Sequence, residues 1–141
     1  MKNKFLITIL SSVLWIGGIE AQLKVGDKHP TLNGVVAVLN ADGTGLVIGP
    51  GEKVPTTWDN AKAATAKIGN GWYLPTLEQM QAIYANNSIL KIGAGFTPPA
   101  FWCRGEMPNN TANAMSFSAP LGTGVPRPKT DLLCVRRVHA F

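Results

Sequence analysis

Cysteine and histidine are scarce in this chain of 141 residues, two of each, and charged side chains make up only 15% of it. So few soft ligands leave little from which to build a thiolate or imidazole metal cluster. His29 and His139 lie near opposite ends of the sequence, and no carboxylate is spaced to complete a triad or a metal site with either. Catalytic signatures are missing as well. There is no Gly-x-Ser-x-Gly and no His-Glu-x-x-His, and "GTGLVIGPG" lacks the lysine and the following helix of a phosphate loop. The cations are not clustered either. A net charge of +5 without a Lys/Arg run excludes the footprint of a nucleic-acid binder. It leaves a weak attraction for acidic glycans or anionic surfaces.

What is present begins with a leader. Lys2 and Lys4 precede residues 5–19, an apolar run broken by Ser11, Ser12 and Gly17-Gly18, and Glu20-Ala21 closes it. This is the layout of a secretory signal peptide over residues 1–21, cleaved after Ala21, and the run is short for a membrane span. An uncleaved N-terminal anchor is the alternative. No cysteine follows the run, which excludes lipid attachment to a cysteine there. Residues 22–141 then suit a single domain with one core. Export into an oxidising compartment makes a disulfide between Cys103 and Cys134 the expected state, with two free thiols as the alternative.

Along the mature chain, "GVVAVLNADGTGLVIGPG" reads as a hairpin turning at Asp42-Gly43 and stopping at Gly49-Pro50-Gly51. "PTTWDNAKAATAKIG" predicts a helix capped by Thr56 with Asp59 as return partner. Its buried stripe is Trp58, Ala61, Thr65 and Ile68, and Gly69 stops it. "GWYLPTLEQMQAIYAN" predicts a strand at Trp72 and Leu74 feeding a second helix. Thr76 and Gln79 form its capping box, and Leu77, Met80, Ile83 and Tyr84 its buried face. Residues 93–131 show no helical period and read as short strands, 100–104 and 112–118, joined by long loops. A closing strand is expected over residues 132–138. Arg136 and Arg137 alternate along it, so at most one points inward, where it needs a partner.

The order of these pieces is distinctive: a hairpin, then "TWDNAKAA", "GWYLPTLEQM", "FWCRGEMPNNTANAMSFS", a lysine loop, and "CVRRV". In this order the chain, over roughly residues 34–138, resembles bacterial C-type-lectin-like domains of the Lcl C-terminal-like family. It is also similar to the ligand-binding domains that retroelements diversify in bacteria and their phages, whose varied, Asn-rich positions precede the terminal strand. The resemblance implies an α+β fold: a single C-type-lectin-like domain, with two helices flanking small antiparallel β-sheets and long C-terminal loops. There are departures. The first helix has no cysteine where the family often pairs one to the terminal cysteine. Cys103 stands where a serine is usual, and Leu133 where an arginine is. A Cys103–Cys134 bond would thus tie the central strand to the last.

The decapeptide "FWCRGEMPNN", residues 101–110, concentrates the candidate chemistry. Arg104, Glu106, Asn109, Asn110 and Asn113 are side chains that hydrogen-bond a ligand when a strand-and-loop scaffold holds them. Trp102 either stacks on a sugar or a protein partner, or fills the core beneath the loops. Arg127 and Lys129 suit an acidic ligand; a solvated loop is the plainer role for both. The stretch is also similar to the Trp-x-x-Gly-Glu-Pro-Asn-Asn of mannose-binding C-type lectins, in which calcium bridges protein and sugar. Here Met107 interrupts the triplet, and Lys129-Thr130-Asp131 replaces the companion Trp-Asn-Asp. Glu106, Asn109, Asn110 and Asp131 offer fewer oxygens than the roughly six to eight that calcium takes. Formylglycine-generating enzymes share the broad fold and use paired cysteines, but beside Cys103 only Arg104 is available to activate a thiol.

The expectation is therefore a secreted or surface-exposed, non-catalytic recognition module, an adhesin. It would bind a glycan or protein through residues 102–128, with no cofactor and no calcium, no nucleic-acid partner, and membrane contact only during export. A calcium-dependent lectin, a thiol-dependent oxidase and a minor subunit of a surface fibre are the alternatives.

Overall fold

The structure, a computed structural model, describes residues 22–118 and 123–141. The expected signal peptide lies outside the described residues. Among the described residues, nine elements follow in chain order: β1 (Val35–Leu39), β2 (Gly45–Thr56), α1 (Trp58–Ile68), α2 (Leu77–Tyr84), the one-turn α3 (Asn87–Leu90), β3 (Ala100–Met107), β4 (Thr111–Ser116), β5 (Thr123–Pro128) and β6 (Leu133–Ala140). The fold is α+β. A sheet of six strands, in the order β1-β2-β6-β3-β4-β5, runs through its centre.

The hairpin forms where the sequence places it, with Gly43 at φ 91° in the turn. Asp42 Oδ1 accepts from the Thr44 amide and hydroxyl, so its carboxylate shapes the turn. The second helix carries its expected box: the Gln79 amide donates to Thr76 Oγ1 and the Thr76 amide to Gln79 Oε1, each at 3.0 Å. Met80 and Ile83 are fully buried, and Leu77 and Tyr84 pack beside them.

Side-chain alternation along β3 then divides the core in two. Phe101 joins Met80, Ile83, Met115 and Phe117 on the α2 side. Trp102 joins Trp58, Ala61, Ala112, Ala114 and Leu133 on the α1 side. Both rings are 0% exposed, so this part of the sheet is covered on both faces. Small alanines on β4, Ala112 and Ala114, leave room for the Trp102 ring on this side.

Several expectations are corrected. Instead of small separate antiparallel sheets there is one six-stranded sheet, whose halves join through a parallel contact of β3 with β6 at Phe101 and Cys134. A third helix is present, and long C-terminal loops give way to the antiparallel run β3-β4-β5. Gly49-Pro50-Gly51 does not end β2. Its register with β6 shifts between Ile48 and Gly51, and the strand continues to Thr56. A bulge of this kind accepts a proline that cannot donate to the ladder. Thr57, not Thr56, precedes α1, and it makes no side-chain cap bond. Residues 72–74 contribute a single bridge, Tyr73 with Val138, and no strand.

The disulfide is corrected as well. Cys103 and Cys134 are free, buried thiols. Cys134 lies opposite Phe101, two residues before Cys103. With a rise of about 3.3 Å per residue and strands about 4.8 Å apart, such a stagger separates the Cα atoms by on the order of 8 Å. A disulfide spans about 7 Å at most without moving backbone. The Cys134 thiol is directed elsewhere, to the Pro98 carbonyl at 3.4 Å.

Candidate functional site

Strand β3 changes character halfway. Residues 100–103 are buried, whereas Arg104, Glu106 and Met107 are exposed. The ladder to β4 breaks between Trp102 and Glu106, which pair with Ala114 and Ala112. Four steps on β3 thus face two on β4, and the surplus backbone must find partners elsewhere. Trp58 Nε1 donates to the Cys103 carbonyl at 2.8 Å, and the Arg104 amide donates to the Pro75 carbonyl at 2.8 Å. A Cβ at Gly105 would come within 2.8 Å of Asn113 Nδ2, so a larger residue there displaces the Asn113 amide.

Beyond the bulge, the strand presents Glu106 to Lys129, and the two form an ion pair. That contact, by hydrogen bond and charge, holds the Glu106 carboxyl below its ordinary value. Lys129 is itself fixed. Its ammonium lies 4.6 Å over the Trp58 ring, its amide donates to the Asn110 carbonyl at 3.0 Å, and its own carbonyl accepts from the Trp58 amide at 3.1 Å. Arg127 and Asp131 form a second pair, with nitrogen–oxygen distances of 2.7 and 2.9 Å.

Asn109 and Asn110 make the β3–β4 turn, at φ 59° and 57°. A short amide side chain tolerates this left-handed backbone, and both amides remain exposed. Asn113 is half-buried on the opposite side of the sheet from Glu106 and Arg127. There it lines a cleft of about 450 Å³ with Arg104, Gly105, Thr76, Glu78 and Gln81. The Arg104 guanidinium lies 5.4 Å over the Tyr73 ring.

The site residues expected from sequence therefore divide. Glu106, Lys129, Asn109 and Asn110 gather around the β3–β4 turn. Arg127 lies across Ala112 from Glu106 on neighbouring strands. Arg104 and Asn113 share a cleft on the α2 side. Trp102 does not belong: it is 0% exposed and its Nε1 donates to the Thr56 carbonyl at 2.8 Å. Stacking on a ligand is thereby corrected to a core role.

Trp58 and Lys62 were missed as site builders. The Lys62 ammonium also lies 4.6 Å over the Trp58 ring, and its charge helps lower the Glu106 carboxyl. The only sequence signal was the i, i+4 spacing of the two on α1. Arg136 is the inward one of the last-strand arginines. It donates to the Gly49 and Ile92 carbonyls and lies 5.3 Å over Phe96. Burial and the neighbouring Arg137 bring it down to about 10.

For chemistry, both thiols sit in environments that disfavour the thiolate. Burial pushes Cys103 up to about 12 and raises Cys134 as well, so neither supplies thiolate near neutral pH. Of the calcium-ligand candidates, Glu106 is engaged by Lys129 and Asp131 by Arg127. Among the described residues, no three His, Cys, Asp or Glu side chains converge as a metal site, and no helix is long and apolar enough to cross a membrane. No protein-family model matches this chain, and comparison with curated proteins finds no relative.

Proposed function

We propose that this chain is an exported recognition module of C-type-lectin-like architecture. It binds a glycan or protein without catalysis and without calcium, through the outer half of β3, the β3–β4 turn and β5. The single observation that carries this reading is the contrast within β3. A strand buried on both faces as far as Cys103 continues into exposed, pre-positioned polar groups. Such a rigid base lowers the ordering cost that a flexible loop would incur on binding. The paired Glu106–Lys129 and Arg127–Asp131 groups present both signs of charge in fixed positions, as a selective contact needs. The strongly raised Cys103 thiol speaks against a thiol oxidase. The cations that neutralise Glu106 and Asp131 speak against a calcium cage.

The C-type-lectin-like assignment draws on the capping box after Leu74-Pro75 and on the terminal Cys-Val-Arg strand. That strand runs back along β2 and so closes the domain at the first hairpin.

Glycan and envelope-protein arrays probed with the labelled mature domain test the function. The folded domain should light a restricted set of spots, and the variant Glu106→Ala/Asn110→Gly/Arg127→Ala should lose them. Glycine retains the left-handed backbone at position 110, and circular dichroism matching the parent identifies the folded variant. An unchanged pattern with that variant would refute the reading.

A further inference from the structure

A second feature lies beside that face. Between α1 and residues 72–74 opens a cleft of about 400 Å³, lined by Lys62, Thr65, Ala66, Trp72, Tyr73 and Arg104, with Leu74 at its base. No acidic residue lines it. Of the surrounding carboxylates, Glu106 is paired with Lys129, and Glu52 lies 3.9 Å from Arg137. Arg137 lies behind the aromatic wall, its guanidinium 5.3 Å over the Trp72 ring and its Nε buried without a hydrogen-bond partner.

We infer that this cleft is a second binding site, adjoining the β3–β5 face, for a carboxylate-bearing sugar, such as a uronic acid unit of an acidic polysaccharide. Its volume is in the range of small-molecule sites, about 300–1,000 Å³. Arg104 offers the planar fork that fits a carboxylate in two parallel bonds, and Lys62, exposed on α1, a second cation in the lining. The Thr65 hydroxyl is spent on the Ala61 carbonyl at 2.9 Å and makes the floor neutral. Trp72 and Tyr73 add aromatic wall that a bare inorganic anion would leave unused and that a sugar ring covers. The site shares Arg104 and Lys62 with the margin of the β3–β5 face, but its aromatic wall, Trp72 and Tyr73, and the Ala66 position on α1 lie outside that face.

Calorimetric titration of the mature domain at low salt, with a galacturonate pentamer, its carboxyl-reduced neutral counterpart and sodium acetate, tests the inference. The pentamer should bind, the neutral oligomer should bind about tenfold more weakly or not at all, and acetate should give no saturable heat. Lys62→Glu removes the cation, and Ala66→Trp fills the cleft from an exposed helix position. Each should lower pentamer affinity about tenfold or more, while Glu106→Ala/Asn110→Gly/Arg127→Ala should retain it. The inference is overturned if the pentamer does not bind, if it binds no better than its neutral counterpart, or if Lys62→Glu and Ala66→Trp bind as the parent does. Loss in the triple variant alone would assign the sugar to the β3–β5 face and remove it from this cleft.

Discussion

Trp58 Nε1 reaches the carbonyl of Cys103, 45 residues along the chain, at 2.8 Å. One hydrogen bond thereby closes the β3 bulge against α1. The same tryptophan supports Lys129 by backbone and ring, so the exposed face stands on a buried indole.

Removing the donor while keeping most of the ring isolates this bond. Trp58→Phe leaves a buried carbonyl without a partner, a loss of about 1–3 kcal/mol. Urea denaturation should show the midpoint lowered with the slope unchanged. A variant as stable as the parent would mean that water or backbone adjustment satisfies the carbonyl.

The thiols give a sharper chemical test. With Cys103 pushed up to about 12 and both sulfurs buried, native protein should resist a thiol-reactive dye at pH 8. Two equivalents should react after unfolding without reductant. Thermal stability should be the same with and without dithiothreitol. A reductant-dependent fall in melting temperature would restore the disulfide expected from sequence.

Gly51 lies at the β2 bulge, and a Cβ there would come within 2.3 Å of Arg136 Cδ and 2.4 Å of Phe96 Cζ. Gly51→Ala should cost about 1–3 kcal/mol through overpacking. The denaturation midpoint measures it. No change would place the Phe96 ring and Arg136 stem in a looser arrangement.

Acid should weaken the fold through His29. Burial, with the charge of His139 acting in the same direction, lowers its folded value. Its Nδ1 accepts from the Thr31 and Leu32 amides, which requires that nitrogen to be unprotonated. The unfolded state therefore binds the proton more readily. The His29 contribution is complete above the unfolded value near 6.5 and is lost as pH falls through the lower folded value. Melting temperatures from pH 7.5 to 5 should decline for the parent and less steeply for His29→Asn. Parallel curves would contradict this assignment.

Local signals were the legible ones. The Asp42-Gly43 turn, the Thr76–Gln79 box and the Gly69 stop depend on neighbours within a few residues, and all are in place. Strand alternation allows at most one inward arginine among Arg136 and Arg137, and the contacts of Arg136 with the Gly49 and Ile92 carbonyls identify which. What was illegible depends on tertiary register. Nothing local to Gly49-Pro50-Gly51 reveals that β6 lies alongside and lets β2 run on through a bulge. The two-residue offset of Cys103 from Cys134 is likewise set by how β3 meets β6. Trp102 suited either a core or a surface; the alanines opposite it on β4 and the Thr56 carbonyl decide for the core.

The array experiment, run once in calcium chloride and once in chelator, tests the central claim most directly. A face held by packing and ion pairs predicts the same spots in both conditions, lost in both for Glu106→Ala/Asn110→Gly/Arg127→Ala. Spots that appear only with calcium, or that persist in the triple variant, would contradict it.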